Sequence, residues 1–206
     1  MPRVAPADRR EHILAAAREE FAARGFAAAR MDDIARRVGI SKAALYLQFE
    51  SKEALFRALV EELIGEMLPA LVPEDLSGIE AAGLLRGLVT AGLDRLASPA
   101  MAFVPRLIVG EGSNFPELAK YYHDKAISRI MGMIERVICH GVARGEFVCP
   151  NPELASRSVA GGIVLSALWK IVFEPVGGRP LDIRAMGQSH ADILLNGLLV
   201  REGAMS

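Results

Sequence analysis

Cysteine is nearly absent from this 206-residue chain: Cys139 and Cys149 are its only two, with no CxxC pair and no zinc-ligand spacing around them. That excludes a disulfide framework and a structural zinc site, and points to reduced thiols in a cytosol. Aromatic residues are also few, at 6%. Alternating runs of Val, Ile, Thr, Tyr and Phe are lacking, which removes the usual signature of strands. An excess of charge of one sign is missing too. The net charge is -1, with 10 Lys/Arg against 8 Asp/Glu in residues 1–56 and 14 against 17 beyond. Any nucleic-acid contact must therefore rest on where basic residues sit, not on the overall balance.

Long hydrophobic runs are scarce as well. The longest, Val159 to Trp169, is closed by Arg157 and Lys170 and falls short of the ~20 residues of a membrane span. A buried helix and no membrane association are the expectation. The opening MPRVAPADRREHIL has no apolar segment followed by small residues, so a cytoplasmic rather than secreted chain is expected. No nucleophile with its base, no carboxylate pair and no phosphate-cradling glycine loop stands at useful spacing, which argues against an enzyme. His12, His123, His140 and His190 are scattered, and neither a metal nor another cofactor is expected.

What remains is abundant Ala and Leu in a chain that is 51% hydrophobic, long enough for a sizeable core in an all-α fold. Asp8 is placed to cap a first helix with Ile13, Leu14, Ala17, Phe21 and Ala22 at helical spacing, ended by Gly25. A second runs from about Met31 to Val38, with Asp32 and Asp33 in its first turn and Gly39 closing it. Ser41 caps a short third helix to about Phe49, and Ser51 a fourth through Leu55, Leu59 and Leu63 to Met67. Longer helices follow at roughly 78–97, 99–112, 116–145, 152–173 and 182–200, separated by Pro and Gly breaks. From residue 77 onward the composition changes to longer, more hydrophobic helices, and a division into residues 1–56 and 57–206 is expected.

Helix, Gly-containing turn and helix over residues 31–49 make a helix-turn-helix, packed through Ile34, Val38, Ile40, Leu45 and Phe49. The stretch FAARGFAAARMDDIARRVGISKAALYLQFESKEALF resembles the N-terminal domain of the TetR (tetracycline repressor) family of transcription regulators. Phe21, Gly25-Phe26, the MDDIA run, Val38 to Ser41, Leu45-Tyr46, Phe49 and Ser51 to Leu55 carry the likeness through their order and spacing. RLIVGEGSNFPELAKYYHD, residues 106–124, resembles the AefR-like subgroup. The resemblance implies a homodimer built by the last two helices, a small-molecule effector pocket in the helical core, and DNA binding that weakens when the effector binds. Two departures stand out. Ala29-Arg30 and Ala44 replace hydroxyls that the family places at the start of the second helix and in the reading helix, and Leu47 and Gln48 follow the Leu-Tyr pair where a His or aromatic is common.

Helical periodicity turns Ala43, Ala44 and Leu47 outward, with Gln48 and Tyr46 on the flanks. Gln48 suits adenine, and the three apolar residues suit thymine methyls. Lys42, Tyr46 and Lys52 stand at positions resembling the family's phosphate contacts, and Arg30 is placed to replace the missing hydroxyl there. Arg3, Arg9 and Arg10 form a basic N-terminal arm.

For the second half, apolar pocket candidates are Met67, Leu88, Phe103, Leu107, Tyr122, Met131, Ile134 and Trp169. Glu111 and His123 are polar exceptions expected to face solvent or satisfy local backbone. Candidate dimer contacts are Val159, Gly162, Ile163, Ser166 and Phe173, with Met186, His190, Ile193, Leu194 and Gly197 from the last helix. The leading expectation is a ligand-responsive repressor on a palindromic double-stranded operator, released by a small, mostly apolar effector. The alternatives are a dimeric interaction module whose DNA reader has decayed, and an activator.

Overall fold

Ser41 Oγ accepts the backbone N–H of Ala44 at 3.1 Å, and Ser51 Oγ accepts that of Ala54 at 3.1 Å. Two hydroxyls thus open two helices where the sequence places them. The computed structural model describes residues 6–67, 72–98, 101 and 110–199. In chain order the helices are α1 (Pro6–Ala28), α2 (Met31–Val38), α3 (Lys42–Tyr46), α4 (Lys52–Met67), α5 (Ala81–Leu96), α6 (Pro116–Tyr122), α7 (Ser128–Ala143), α8 (Pro152–Leu168) and α9 (Ile183–Leu198). A π-helical stretch, His123–Ile127, joins α6 to α7, and another, Trp169–Phe173, prolongs α8. The fold class is all-α. The helix expected over 99–112 lies almost wholly outside the described residues.

The chain divides into two units, Met1–Ile64 with Phe103–Ala126, and Gly65–Ala102 with Ile127–Ser206. In the first unit, α1 packs on α2 and α2 on α3. Phe21, Phe26 and Phe56 are buried at ring-centroid separations of 5.5, 5.8 and 6.3 Å, and Phe115 closes on Phe26 at 4.9 Å. Ile13, Leu14 and Ala17 are buried as expected, whereas Ala22 is exposed. Arg37 ties α2 to α1 through Glu19 at 2.8 Å and the buried Glu20 at 3.4 Å.

In the second unit α5 lies against α7, α8 and α9. Leu85, Leu88, Val89 and Leu93 meet Ile134, Val137, Ile138, Val159, Ile163, Ala191 and Leu195 in one core. The N-terminus of α5 has no side-chain cap of its own. The carboxylate of Glu146 accepts the N–H groups of Ala81 at 2.7 Å and Ala82 at 3.4 Å instead. Burial pushes the Glu146 carboxyl up, but Arg144 and these two N–H groups hold it below its ordinary range.

The continuous helical stretch Pro152–Val176 is long and apolar enough, by length and composition, to cross a membrane. This corrects the reading of Val159–Trp169 as too short: the helix continues past Lys170. A core helix passes the same test, and one side of α8 is core, with Val159 and Ala167 fully enclosed and Ile163 at 7% exposure. Its buried Ser156 and Ser166 donate to the carbonyls of Glu153 and Gly162 within the helix.

Candidate nucleic-acid interface

The reading surface starts from two tight helix ends. Gly39 takes a left-handed conformation (φ 76°) and terminates α2 after Val38, a turn that costs glycine nothing. Ile40 N then donates to Ala35 O at 3.0 Å, and α3 begins at the Ser41 cap. Ile34, Leu45 and Phe49 are buried between the two helices, and Val38 and Ile40 half-buried. Helical assignment ends at Tyr46, earlier than the expected Phe49, yet Leu45 O still accepts from Gln48 N and Phe49 N.

The opposite side of α3 is open. Leu47 is 86% exposed and Tyr46 42%, Ala43 and Gln48 are exposed, and Ala44 is half-buried. None of these side chains makes a hydrogen bond within the described residues. At one edge, the Lys42 ammonium lies 2.9 Å from the Asp32 carboxylate and 5.9 Å from the Tyr46 ring centroid. The hydrogen bond from Lys42 holds the Asp32 carboxyl below its ordinary range, and the same bond holds the Lys42 ammonium above its own. Arg30 is exposed, has no ion pair among the described residues, and precedes α2 in an extended conformation (φ -120°, ψ 136°). A recess of about 420 Å³ is lined by Arg30, Asp32, Lys42, Tyr46 and Lys52 among others. Two cations beside an uncapped helix start can take phosphate oxygens, while an amide and apolar groups on the next helix can address base edges.

Lys52 is the correction at this surface. Its ammonium is enclosed by three backbone carbonyls, those of Phe26 at 2.5 Å, Ala27 at 3.1 Å and Ala29 at 3.1 Å, and it lies 4.5 Å from the Phe26 ring centroid. An ammonium has three N–H donors, and all three are occupied, so Lys52 fastens the link between α1 and α2 rather than standing free for phosphate. Glu111 grips the same link from the other side. Its two oxygens accept the N–H groups of Phe26 and Ala27, each at 2.7 Å. Gly25 permits this with φ 76°, and a side chain there would collide with the Glu111 carboxylate. The sequence expectation for Glu111 is to face solvent or satisfy local backbone; the backbone it satisfies lies 84 and 85 residues away. No local sequence signal marks such a partner.

Of the N-terminal arginines, Arg3 lies outside the described residues, Arg9 is half-buried, and the Arg10 guanidinium stacks 4.9 Å from the Phe49 ring centroid.

The proposed dimer contacts separate into two groups. Val159, Ile163 and Ser166 are buried inside one chain, and Gly162 gives way to the His190 ring, whose Nε2 stands 3.0 Å from Val159 O. They are core positions, because the buried side of α8 is the one facing α5 and α9. Met186 and Leu194 are half-buried against the same core. Phe173, Ile193 and Gly197 are exposed. Gly161, a small residue of the same helix, is exposed too, and Leu154, Leu165 and Val172, which helical periodicity alone does not single out, are exposed at helical spacing with it on the outer side of α8 and its extension.

Among the described pocket candidates, no cavity-lining set is evident within either unit. Leu88 and Ile134 are plain core, and Met131 packs half-buried against them. Trp169 lies on the exposed side with Phe173, its indole N–H donating to Arg179 O at 2.9 Å. Tyr122 belongs to the first unit, where burial pushes its phenol up to about 12. Phe103, Leu107 and the Met67 side chain lie outside the described residues. Among those described, no three His, Cys, Asp or Glu side chains gather as metal ligands.

The profile of bacterial regulatory proteins of the tetR family matches residues 13–59, and that of the AefR-like transcriptional repressor C-terminal domain matches residues 83–181. The transcriptional regulator SrpR of Pseudomonas putida is 27% identical over 161 residues, covering 78% of this chain and 74% of that protein. The transcriptional repressor KstR2 of Mycolicibacterium smegmatis is 27% identical over 204 residues, covering 96% and 94%. In fold, the chain matches the transcriptional regulator FadR from Bacillus subtilis, solved in complex with stearoyl-CoA, with a TM-score of 0.78 at 21% identity over 91% of this chain and 98% of that one.

Proposed function

The chain belongs to the TetR family of bacterial regulatory proteins, and from that premise we propose that it is a cytoplasmic, ligand-responsive repressor that reads a specific duplex with α3. The observation that carries this reading is the outer face of α3. Leu47 is 86% exposed, Ala43 and Gln48 stand beside it, and Arg30 and Lys42 lie at its margin. Gln48 addresses adenine, Ala43, Ala44 and Leu47 contact thymine methyls, and Arg30, Lys42 and Tyr46 hold phosphates. Lys52 supports the frame behind them.

A homodimer presents two such helices in successive major grooves, ~34 Å apart for half-sites one turn apart. The exposed side of α8 supports this assembly, with Leu154, Leu165, Val172 and Phe173 open to solvent, and on α9 Ile193 and Gly197 are exposed as well. Gly161 and Gly197 have open space in front of them, which permits close approach of a second helix. An apolar effector held by the helical C-terminal region would release DNA by favouring a dimer geometry that no longer fits, which requires unequal affinity for the two geometries. The repressor names of KstR2 and of the AefR-like domain, and the acyl chain bound by FadR, support the sign and the ligand class.

Selection from a random duplex library, followed by footprinting upstream of the protein's own gene, tests the DNA reading. A palindromic consensus is expected. Failure to enrich any sequence at moderate salt would favour an interaction module with a decayed reader. Adding long-chain acyl-CoA, free fatty acid or a sterol to the operator complex tests the effector class, and DNA retention with all three would overturn it.

A further inference from the structure

One peptide unit in the first structural unit is held at both ends by opposite charges. The Phe26 carbonyl accepts from the Lys52 ammonium at 2.5 Å, and the N–H of the same peptide, on Ala27, donates to the Glu111 carboxylate at 2.7 Å. The flanking groups repeat the arrangement: Phe26 N–H reaches Glu111 at 2.7 Å, and the carbonyls of Ala27 and Ala29 reach Lys52 at 3.1 Å. Carboxylate, peptide dipole and ammonium stand in line, so each charge strengthens the hydrogen bond made by the other. The segment so held is short. It begins at Gly25, whose φ of 76° breaks α1, and ends beside Arg30, the residue that opens α2.

Glu111 comes from a different part of the sequence. It lies within residues 83–181, matched by the C-terminal domain profile, whereas Gly25 to Lys52 lie within residues 13–59, matched by the N-terminal one. Its neighbours reinforce the hold. Phe115 packs on Phe26, and Tyr121 donates to Glu61 at 2.7 Å, with the Arg57 guanidinium 5.1 Å from its ring centroid.

We infer that Glu111 and Lys52 are positioning residues for DNA recognition, which fix the angle at which α2 and α3 leave α1 by clamping the 25–29 link from both sides. The inference rests on the DNA-reading role proposed above. Losing the carboxylate leaves two N–H donors unpaired and lets the link turn. The consequence is a loss of discrimination more than of charge, because neither residue touches the duplex.

The test uses the full-length chain and the duplex it selects from a random library. Specific and non-specific affinities are measured by anisotropy across a salt series for wild type, Glu111→Ala, Glu111→Gln and Lys52→Met. Glu111→Ala is expected to cut specific affinity about ten- to hundredfold while changing non-specific affinity little. Glu111→Gln, which keeps one acceptor oxygen, should fall between. The salt slope of Lys52→Met should stay at the wild-type value, whereas a lost phosphate contact would lower it by ~1. Hydrogen exchange at the Phe26 and Ala27 amides should accelerate in both Glu111 variants. If Glu111→Ala does not fold, Glu111→Gln decides: specific binding within twofold of wild type overturns the inference. So does an equal loss of specific and non-specific binding, or a reduced slope for Lys52→Met. If wild type selects no duplex, the DNA-reading role fails and takes this inference with it. If it does select one and the variants bind normally, only the inference fails.

Discussion

Asp32 in the first turn of α2 holds the Lys42 ammonium of α3 at 2.9 Å, on the surface where Arg30 stands unpaired among the described residues. A carboxylate at this place competes with phosphate for the same cation. Asp32→Asn should therefore tighten DNA binding at low salt and make the dependence of log K on log salt steeper by up to ~1, while Lys42→Ala weakens all sequences alike and shallows it by ~1. Anisotropy titrations at several salt concentrations measure both. Unchanged slopes would show that Lys42 never leaves Asp32 for DNA.

Gln48, just past the end of α3, carries the amide on this surface that can form a bidentate pair with adenine. Gln48→Ala is expected to relax preference at one operator position, with a loss of ~1 to 3 kcal/mol for the preferred base. Leu47→Ala should instead lower affinity for sites that carry a thymine at the facing step. Repeating the duplex selection with each variant reads this directly, and an unchanged consensus for Gln48→Ala would remove it as a reader.

The two sides of α8 make opposite predictions. Leu165 is 62% exposed and Val159 fully buried. Leu165→Glu should yield a folded monomer by sedimentation velocity, with thermal stability of the chain itself little altered. Val159→Ala should leave the association state intact and cost about 2 kcal/mol in stability through the cavity it creates. A monomer from Val159→Ala and a dimer from Leu165→Glu would reverse the assignment.

Alkaline pH acts through Tyr121 and Tyr122. Burial raises both phenols from 10.0 to about 12, with Tyr121 further raised by its hydrogen bond to Glu61. The folded chain keeps these protons where the unfolded chain releases them. Stability is thus unaffected by the pair below pH 10 and declines from there towards about 12. Chemical denaturation at stepped pH should show this decline, and Tyr122→Phe should flatten it. A decline of equal depth in Tyr122→Phe would place its cause elsewhere.

The features legible in the sequence are those whose causes are local. Ser41 and Ser51 cap helices through N–H groups three residues on, Gly39 ends α2, and Leu45 and Phe49 face inward while Leu47 faces out. Each follows from a spacing of a few residues. The carbonyls that bind Lys52 lie 23 to 26 residues upstream and the N–H groups that bind Glu111 are still more distant, so neither partnership has a local signature. The case of α8 differs. Its residues are apolar on two sides, so periodicity reveals stripes at Val159, Ile163 and Ser166 and at Leu154, Leu165 and Val172 without telling which one faces the chain's own core. Only the neighbouring helices α5 and α9 break that tie.

Trp169 is the chain's one tryptophan, and it sits 38% exposed on that outer side, 5.5 Å from the Phe173 ring centroid. The protein therefore carries an intrinsic optical probe at the surface where self-association is proposed. No second indole contributes background, so a blue shift in its emission and protection from a soluble quencher on raising the protein concentration would give the association constant without any label.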